Sequence, residues 1–251
     1  MSLRYCFEED CVKATLNRSK RDDLAVIDTD GIPIATIRDA VRRGVHVYGY
    51  INAGALESGR TYYQKYKHLR LAKYEGWSGE YWIDPTADEW KKHIHDLGVA
   101  IISLGCIGVY FDNTDIYYEA RHIKQGYDRK IPDQTAIYKA LRDIVLDLTK
   151  IGLIVMPNGG DSFVRRFYTE YPSVLKTINQ EGCLFENFKR QPKDERLFRT
   201  EYMDWARKKG LYVRGIEYCK KTSQKAECKA YYKLHGWKGL YISTHTNLKG
   251  D

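Results

Sequence analysis

The chain has 251 residues, 43 % of them hydrophobic and 29 % charged, with 41 Lys+Arg against 33 Asp+Glu for a net charge of +8. That is enough apolar material for one sizeable core, so a single domain is expected over residues 1–251. No run approaches the ~18 uncharged apolar residues of a membrane span, and no basic tract reaches five residues, so membrane insertion and nucleic-acid binding are both set aside.

Short apolar runs mark strands along the chain at Arg4–Phe7, Leu24–Ile27, Val45–Ile51, Tyr81–Ile83, Gly108–Phe111, Leu153–Met156, Cys183–Phe185, Leu211–Ile216 and Leu240–Ile242. Helical periodicity is clearest over 135–150, where Ile137, Leu141, Ile144, Val145 and Leu148 share one face between an Asp133 cap and a Gly152 stop. Ile34–Arg43, Asp88–Leu104 and Glu195–Lys209 also read as helices, and Arg43-Gly44 and Lys209-Gly210 are helix-stop signals just before a strand. Alternating strands and helices over this length predict an α/β fold, a single-domain (β/α)8 TIM barrel. The rival doubly wound sheet usually carries a Gly-rich phosphate loop, and neither GxGxxG nor GxxxxGK occurs. Nine candidates are one too many for a barrel. Tyr81–Ile83, one of the three shortest, is therefore read as a loop element inside the longest connection.

The strand ends carry the functional signal. Apolar runs stop at Asp28, Asn52, Asp112, Asn158, Glu186 and Glu217, and the last runs into Ser243-Thr244-His245. Any one such Asp is more often a helix cap. Seven polar ends in one barrel gather at the C-terminal mouth, where barrel enzymes hold their chemistry. No Cys/His cluster has zinc-ligand spacing, so no metal is expected, no lysine ends a core strand, which weakens Schiff-base chemistry, and no GxSxG elbow occurs. Paired-carboxylate chemistry remains, as in glycoside hydrolysis. Tyr48, Tyr50, Trp77, Trp82, Tyr117 and Tyr118 are candidate sugar platforms, with core packing expected for at least half of them.

The runs GYINAGALESGR (49–60), GWSGEYWIDP (76–85), GVYFDNTDIY (108–117), MPNGG (156–160) and LFEN (184–187) follow one another in order. Together they resemble glycoside hydrolase family 114, the endo-α-1,4-polygalactosaminidases and related bacterial barrel proteins. The resemblance is good from about residue 22 to 187 and rests on strand rhythm beyond. It implies a barrel that cleaves internal bonds of an α-1,4-linked galactosamine polysaccharide without a cofactor. Carried over by motif, the catalytic carboxylates are Asp112 of FDN, as nucleophile or base, and Glu186 of FEN, as proton donor. Glu181 lies just before, but Cys183-Leu184-Phe185 reads as the apolar strand and Glu186 as its end. The substrate-binding set is Asp28, Tyr50, Asn52, Trp82, Asp84, Asn113, Asp115, Asn158 and Glu217. Asp84 serves equally well as the cap of the helix that follows, Arg60 is expected to pair with a carboxylate such as Glu57, and Glu217 is the second-choice acid. A cationic amino-sugar polymer also needs an acidic mouth within a basic chain.

The expected partner is a poly- or oligosaccharide, bound by a monomer. A sugar-binding barrel with little activity is the alternative. Cys6 with Cys11, and Cys219 with Cys228, are possible disulfide pairs in an oxidising compartment. The opening decapeptide MSLRYCFEED has no apolar core, so the expected location is the cytoplasm, or the cell exterior if a leader has been removed.

Overall fold

The computed structural model describes residues 2–246 and 248. Eight strands run in parallel: β1 (Leu3–Cys6), β2 (Leu24–Ile27), β3 (His46–Asn52), β4 (Gly108–Asp112), β5 (Ile154–Pro157), β6 (Thr177–Glu181), β7 (Tyr212–Tyr218) and β8 (Gly239–Ser243). β1 to β5 pair in chain order as one sheet, and β6, β7 and β8 as a second. A single parallel bridge between Asn158 and Asn179 joins the two at β5 and β6. On the other side β1 lies beside β8, with the Tyr5 and Tyr241 rings 5.2 Å apart. Seven long helices follow the first seven strands: α1 (Glu9–Arg18), α2 (Ile34–Arg42), α3 (Asp88–Ser103), α4 (Gln134–Lys150), α5 (Asp161–Glu170), α6 (Lys193–Lys208) and α7 (Thr222–His235). This is the α/β barrel order expected from the alternation.

The strands' two-residue period divides their side chains between two cores. Val47, Ile51, Val109, Phe111 and Ile178 face the helices in the larger cluster. Tyr5, Val26, Tyr48, Tyr110, Met156, Ile216, Tyr218 and Tyr241 share the smaller one, the barrel interior. Tyrosine is abundant because these interior rings fill volume while their hydroxyls bond polar neighbours: Tyr5 donates to Asn179 Oδ1 at 2.7 Å. Helix α4 forms as predicted. Asp133 accepts from the Ala136 amide at 2.8 Å, and the five predicted apolar positions are buried.

Two strand readings need correction. The sixth strand is the polar Thr177–Glu181, not Cys183–Phe185. It pairs with β7, whereas Phe185–Glu186 is half of a small antiparallel hairpin with Lys189–Arg190. Leu184 and Phe185 are apolar because they pack outside the barrel against Cys219 and Cys228. Tyr81–Ile83, read from the sequence as a loop element, belongs to a strand, Glu80–Ile83, in an antiparallel sheet with Ala55–Glu57 and Arg70–Lys73 over the β3–α3 connection. Among the cysteines, Cys6 and Cys11 form a disulfide. Cys219 and Cys228 are buried thiols with sulfurs 3.5 Å apart.

Candidate active site

A cleft of about 780 Å³ opens over the C-terminal ends of the strands. At its floor Asp112, the last residue of β4, and Glu181, the last residue of β6, approach one another. Both point inward by register, two residues after the interior Tyr110 and Asn179. Asn158, just past β5, stands between them. Its Nδ2 donates to Asp112 Oδ1 and to Glu181 Oε1, each at 2.9 Å. Glu181 also accepts from the Tyr110 hydroxyl at 2.6 Å and from the Tyr218 hydroxyl. Asp112 accepts from the Asn113 amide at 3.0 Å, and its other oxygen lies 3.3 Å from Tyr50 OH. Burial, and then the charge of Glu181, push Asp112 up to about 8. Two carboxylates this close resist joint ionisation, and it is Asp112 that keeps its proton at neutral pH.

On one side of the floor, Arg60 pairs with Asp28 at 2.5 Å and with Glu57 at 2.6 Å. Tyr50 OH donates to the same Glu57 at 3.0 Å, linking this network to Asp112. Glu80, opposite Glu57 in the antiparallel sheet, is raised to about 7 by burial and by Glu57. On another side Asp115 is raised to about 6 by burial and by Asp161. Ten carboxyl side chains and two guanidiniums line the cleft. A chain with a net charge of +8 therefore presents an acid-dominated mouth. Among the described residues, no three His, Cys, Asp or Glu side chains are grouped to hold a metal ion.

Of the sequence-predicted residues, Asp28, Tyr50, Asp112, Asn113, Asp115, Asn158 and Glu186 line the cleft. Glu186 does so from the rim hairpin rather than a strand end. Its side chain is 40 % exposed, bonded to Gln191 and paired with Arg199 at 3.1 Å. Asn52, Trp82, Asp84 and Glu217 are buried outside the lining and make structural contacts. Asn52 accepts from the Asn113 side chain and the Ala55 amide, both at 2.9 Å. Trp82 packs on Tyr74. Asp84 binds the Thr86 amide at 2.9 Å and Arg129 at 3.0 Å. Glu217 faces outward because β7's inward residues are Ile216 and Tyr218. Of the six candidate platforms, Tyr50, Trp77 and Tyr118 line the cleft, while Tyr48, Trp82 and Tyr117 are core. Glu181 is set aside by the sequence in favour of Glu186, and Glu80, Asp161, Arg199 and Tyr218 are not singled out there. Only Tyr218 carried a signal, since it ends a strand, one residue past the end predicted for that run.

A carboxylate pair on the floor of an open cleft, at the C-terminal mouth of a parallel α/β barrel, is an arrangement that two-carboxylate chemistry can use. Residues 4–247 match the model of glycoside-hydrolase family GH114, and the chain belongs to that family. It superposes on the glycoside hydrolase domain of PelA from Pseudomonas aeruginosa with a TM-score of 0.78 at 17 % identity, covering 100 % of this chain and 97 % of that one. Aspergillus fumigatus Ega3, in complex with galactosamine, gives 0.75 at 16 % identity, covering 100 % and 94 %. An uncharacterized protein of Methanocaldococcus jannaschii is 24 % identical over 180 residues, 67 % of this chain and 51 % of its own length. One of Thermotoga maritima is 22 % identical over 194 residues, 72 % and 58 %. The chain thus spans little more than half the length of these curated relatives.

Proposed function

We propose that the protein hydrolyses internal α-1,4 bonds of a galactosamine-containing polysaccharide, with Asp112 and Glu181 as the catalytic carboxylates. The observation that carries this reading is the shared Asn158 bridge. Two oxygens bonded to one nitrogen at 2.9 Å each are separated by no more than twice that distance. That bound falls short of the ~6.5–9.5 Å of inverting pairs and suits the ~5–5.5 Å of retaining ones. Glu181 therefore stands as the second carboxylate of the pair in place of Glu186.

A pair that holds one proton suits such a reaction. The ionised carboxylate attacks the anomeric carbon while the protonated one gives its proton to the leaving oxygen. In the second half the latter takes a proton from water, which attacks the glycosyl–enzyme bond and restores the first carboxylate. Asn158, Tyr110 and Tyr218 hold the carboxylates in place without supplying a charge. The acid-dominated lining favours a sugar that carries ammonium groups, and Ega3 is a structural neighbour that binds galactosamine. Trp77 and Phe198, both about half exposed at the rim, offer stacking faces to further sugar units, as cleavage inside a chain requires.

The test is hydrolysis of partially deacetylated α-1,4-galactosamine oligomers, with the product anomer followed by NMR at early times. The α-anomer is expected first. Asp112→Asn and Glu181→Gln should each lower kcat at least ~10³-fold, the scale on which catalytic side chains act. Azide supplied to Asp112→Gly and to Glu181→Gly separates the roles: the variant that lacks the attacking carboxylate yields the inverted glycosyl azide, and the one that lacks the acid yields the retained azide. A parent that binds the oligomers without cleaving them would make this a carbohydrate-binding barrel.

A further inference from the structure

Glu217 lies outside the cleft, yet its carboxylate is one of the most completely enclosed in the molecule. The residue is fully buried. Its Oε2 accepts from the Leu184 amide at 3.0 Å and the Phe185 amide at 2.8 Å, and its Oε1 from Tyr232 OH at 3.1 Å. Burying an acid behind the barrel wall is costly unless such donors compensate. Two of the three donors belong to the segment that leaves Glu181 and carries Glu186.

That segment does not hold its own shape. Gly182, Asn187 and Phe188 all have left-handed backbone angles, at φ 58°, 49° and 62°, and the latter two are unfavourable for residues with a Cβ. Its hairpin has only two residues in each arm, Phe185–Glu186 against Lys189–Arg190. A two-stranded element of this size is not stable alone. It is gripped from two sides. Arg199 of α6 donates to the carbonyls of Glu181 and Gly182 at 2.6 and 3.1 Å. Glu217 of β7 takes the amides of the next residues. A Cβ at Gly182 would stand 2.9 Å from the Glu186 Cβ, so the acid is packed directly on the segment's start.

We infer that Glu217 is a positioning residue: from behind β7 it fixes the hairpin after Glu181, and so sets where Glu186 stands on the rim of the cleft. The inference rests on the cleft being the substrate site. Glutamine at 217 keeps a single carbonyl oxygen, so the Leu184 amide, which the carboxylate shares between Oε1 at 3.2 Å and Oε2 at 3.0 Å, loses one of its two acceptors, and the bonds to the segment lose their charge assistance. The hairpin is then released while the barrel strands keep their ladder bonds.

The test compares the parent, Glu217→Gln, Glu186→Gln and the double variant, with Asp112→Asn as the inactive control. Hydrogen–deuterium exchange over residues 182–190 reads the grip directly and needs no activity. The Leu184 and Phe185 amides should exchange roughly 10-fold faster or more in Glu217→Gln, with exchange in β4 and β5 unchanged. On galactosamine oligomers, Glu217→Gln should raise KM about as much as Glu186→Gln does, with a smaller change in kcat. The double variant should be no worse than either single one, because both act through the placement of Glu186. If Glu217→Gln fails to fold, Glu217→Asp keeps the charge but loses a methylene of reach, and should show the same local exchange. Unchanged exchange at 184 and 185 would overturn the inference, as would effects that multiply in the double variant. A parent without hydrolytic activity would overturn the functional reading but leave the exchange result standing.

Discussion

Asp112 shows how one residue couples stability to chemistry. Its folded-state pKa of about 8 lies far above the usual carboxylate value, because burial and Glu181 both disfavour its charge. For a group raised on folding, the native state binds more protons than the unfolded chain between the two pKa values. Its contribution is therefore complete at acidic pH and is lost as pH rises through about 8. The protein should lose stability from roughly pH 5 to pH 8 through this residue, and Asp112→Asn should flatten the decline. Thermal midpoints of the two proteins at pH 5 and pH 8 check this. The gap in favour of the variant should be wider at pH 8, and a gap independent of pH would mean that Asp112 titrates like an exposed acid. The same substitution abolishes the proposed reaction, so at this position stability and activity are opposed.

At the scale of elements, buried acids of the mouth separate into those that face the cleft and those that brace it. Asp84 ends the strand Glu80–Ile83 and turns the chain into α3, with 1 % exposure and bonds to the Thr86 amide, the Thr86 hydroxyl and Arg129. Removing it leaves two local donors and a guanidinium without their acceptor. Asp84→Ala should therefore destabilise the fold by about 2–3 kcal/mol in denaturant titration, and the folded fraction should keep its kcat. A loss of kcat at unchanged stability would put Asp84 into the chemistry instead. These distinctions set the limit of what the sequence discloses. Asp112 was legible because Gly108–Phe111 is an apolar strand ending in an acid. Glu181 was not, because its strand reads Thr-Ile-Asn-Gln-Glu. The inward Asn179 and Glu181 are bonded by tyrosines from β1, β4 and β7, partners that only the closed-up strands bring near. The apolar Cys183–Phe185 looked like the strand because it packs against Cys219 and Cys228 behind β7. Glu217 misled in the same way: strand-end position was visible, but its face depends on a register that Tyr218, not Glu217, satisfies.

At the scale of the whole molecule, the charge distribution runs against the net charge. Cations outnumber acids over the chain, while the cleft collects ten acids against Arg60 and Arg199. Those two are engaged already, Arg60 with Asp28 and Glu57 and Arg199 with Glu186. Surface lysines more than about 10 Å from the mouth are largely screened at 0.1 M salt. A concave, partly desolvated cleft concentrates its own field. A cationic polymer approaching the protein thus meets attraction at the mouth and only weak repulsion elsewhere. The balance should shift with salt in a way that depends on the substrate's amines. Raising salt from 50 to 500 mM should increase KM several-fold for a deacetylated galactosamine oligomer and leave it nearly unchanged for the N-acetylated one. Asp161→Asn, which removes one lining acid without touching the Asp112–Glu181 bridge, should reduce the salt effect on the deacetylated oligomer and raise its KM. Equal salt dependence for both substrates would mean that the mouth binds sugar through its rings and hydroxyl contacts, with the carboxylates outside the catalytic pair serving the fold rather than the choice of polymer.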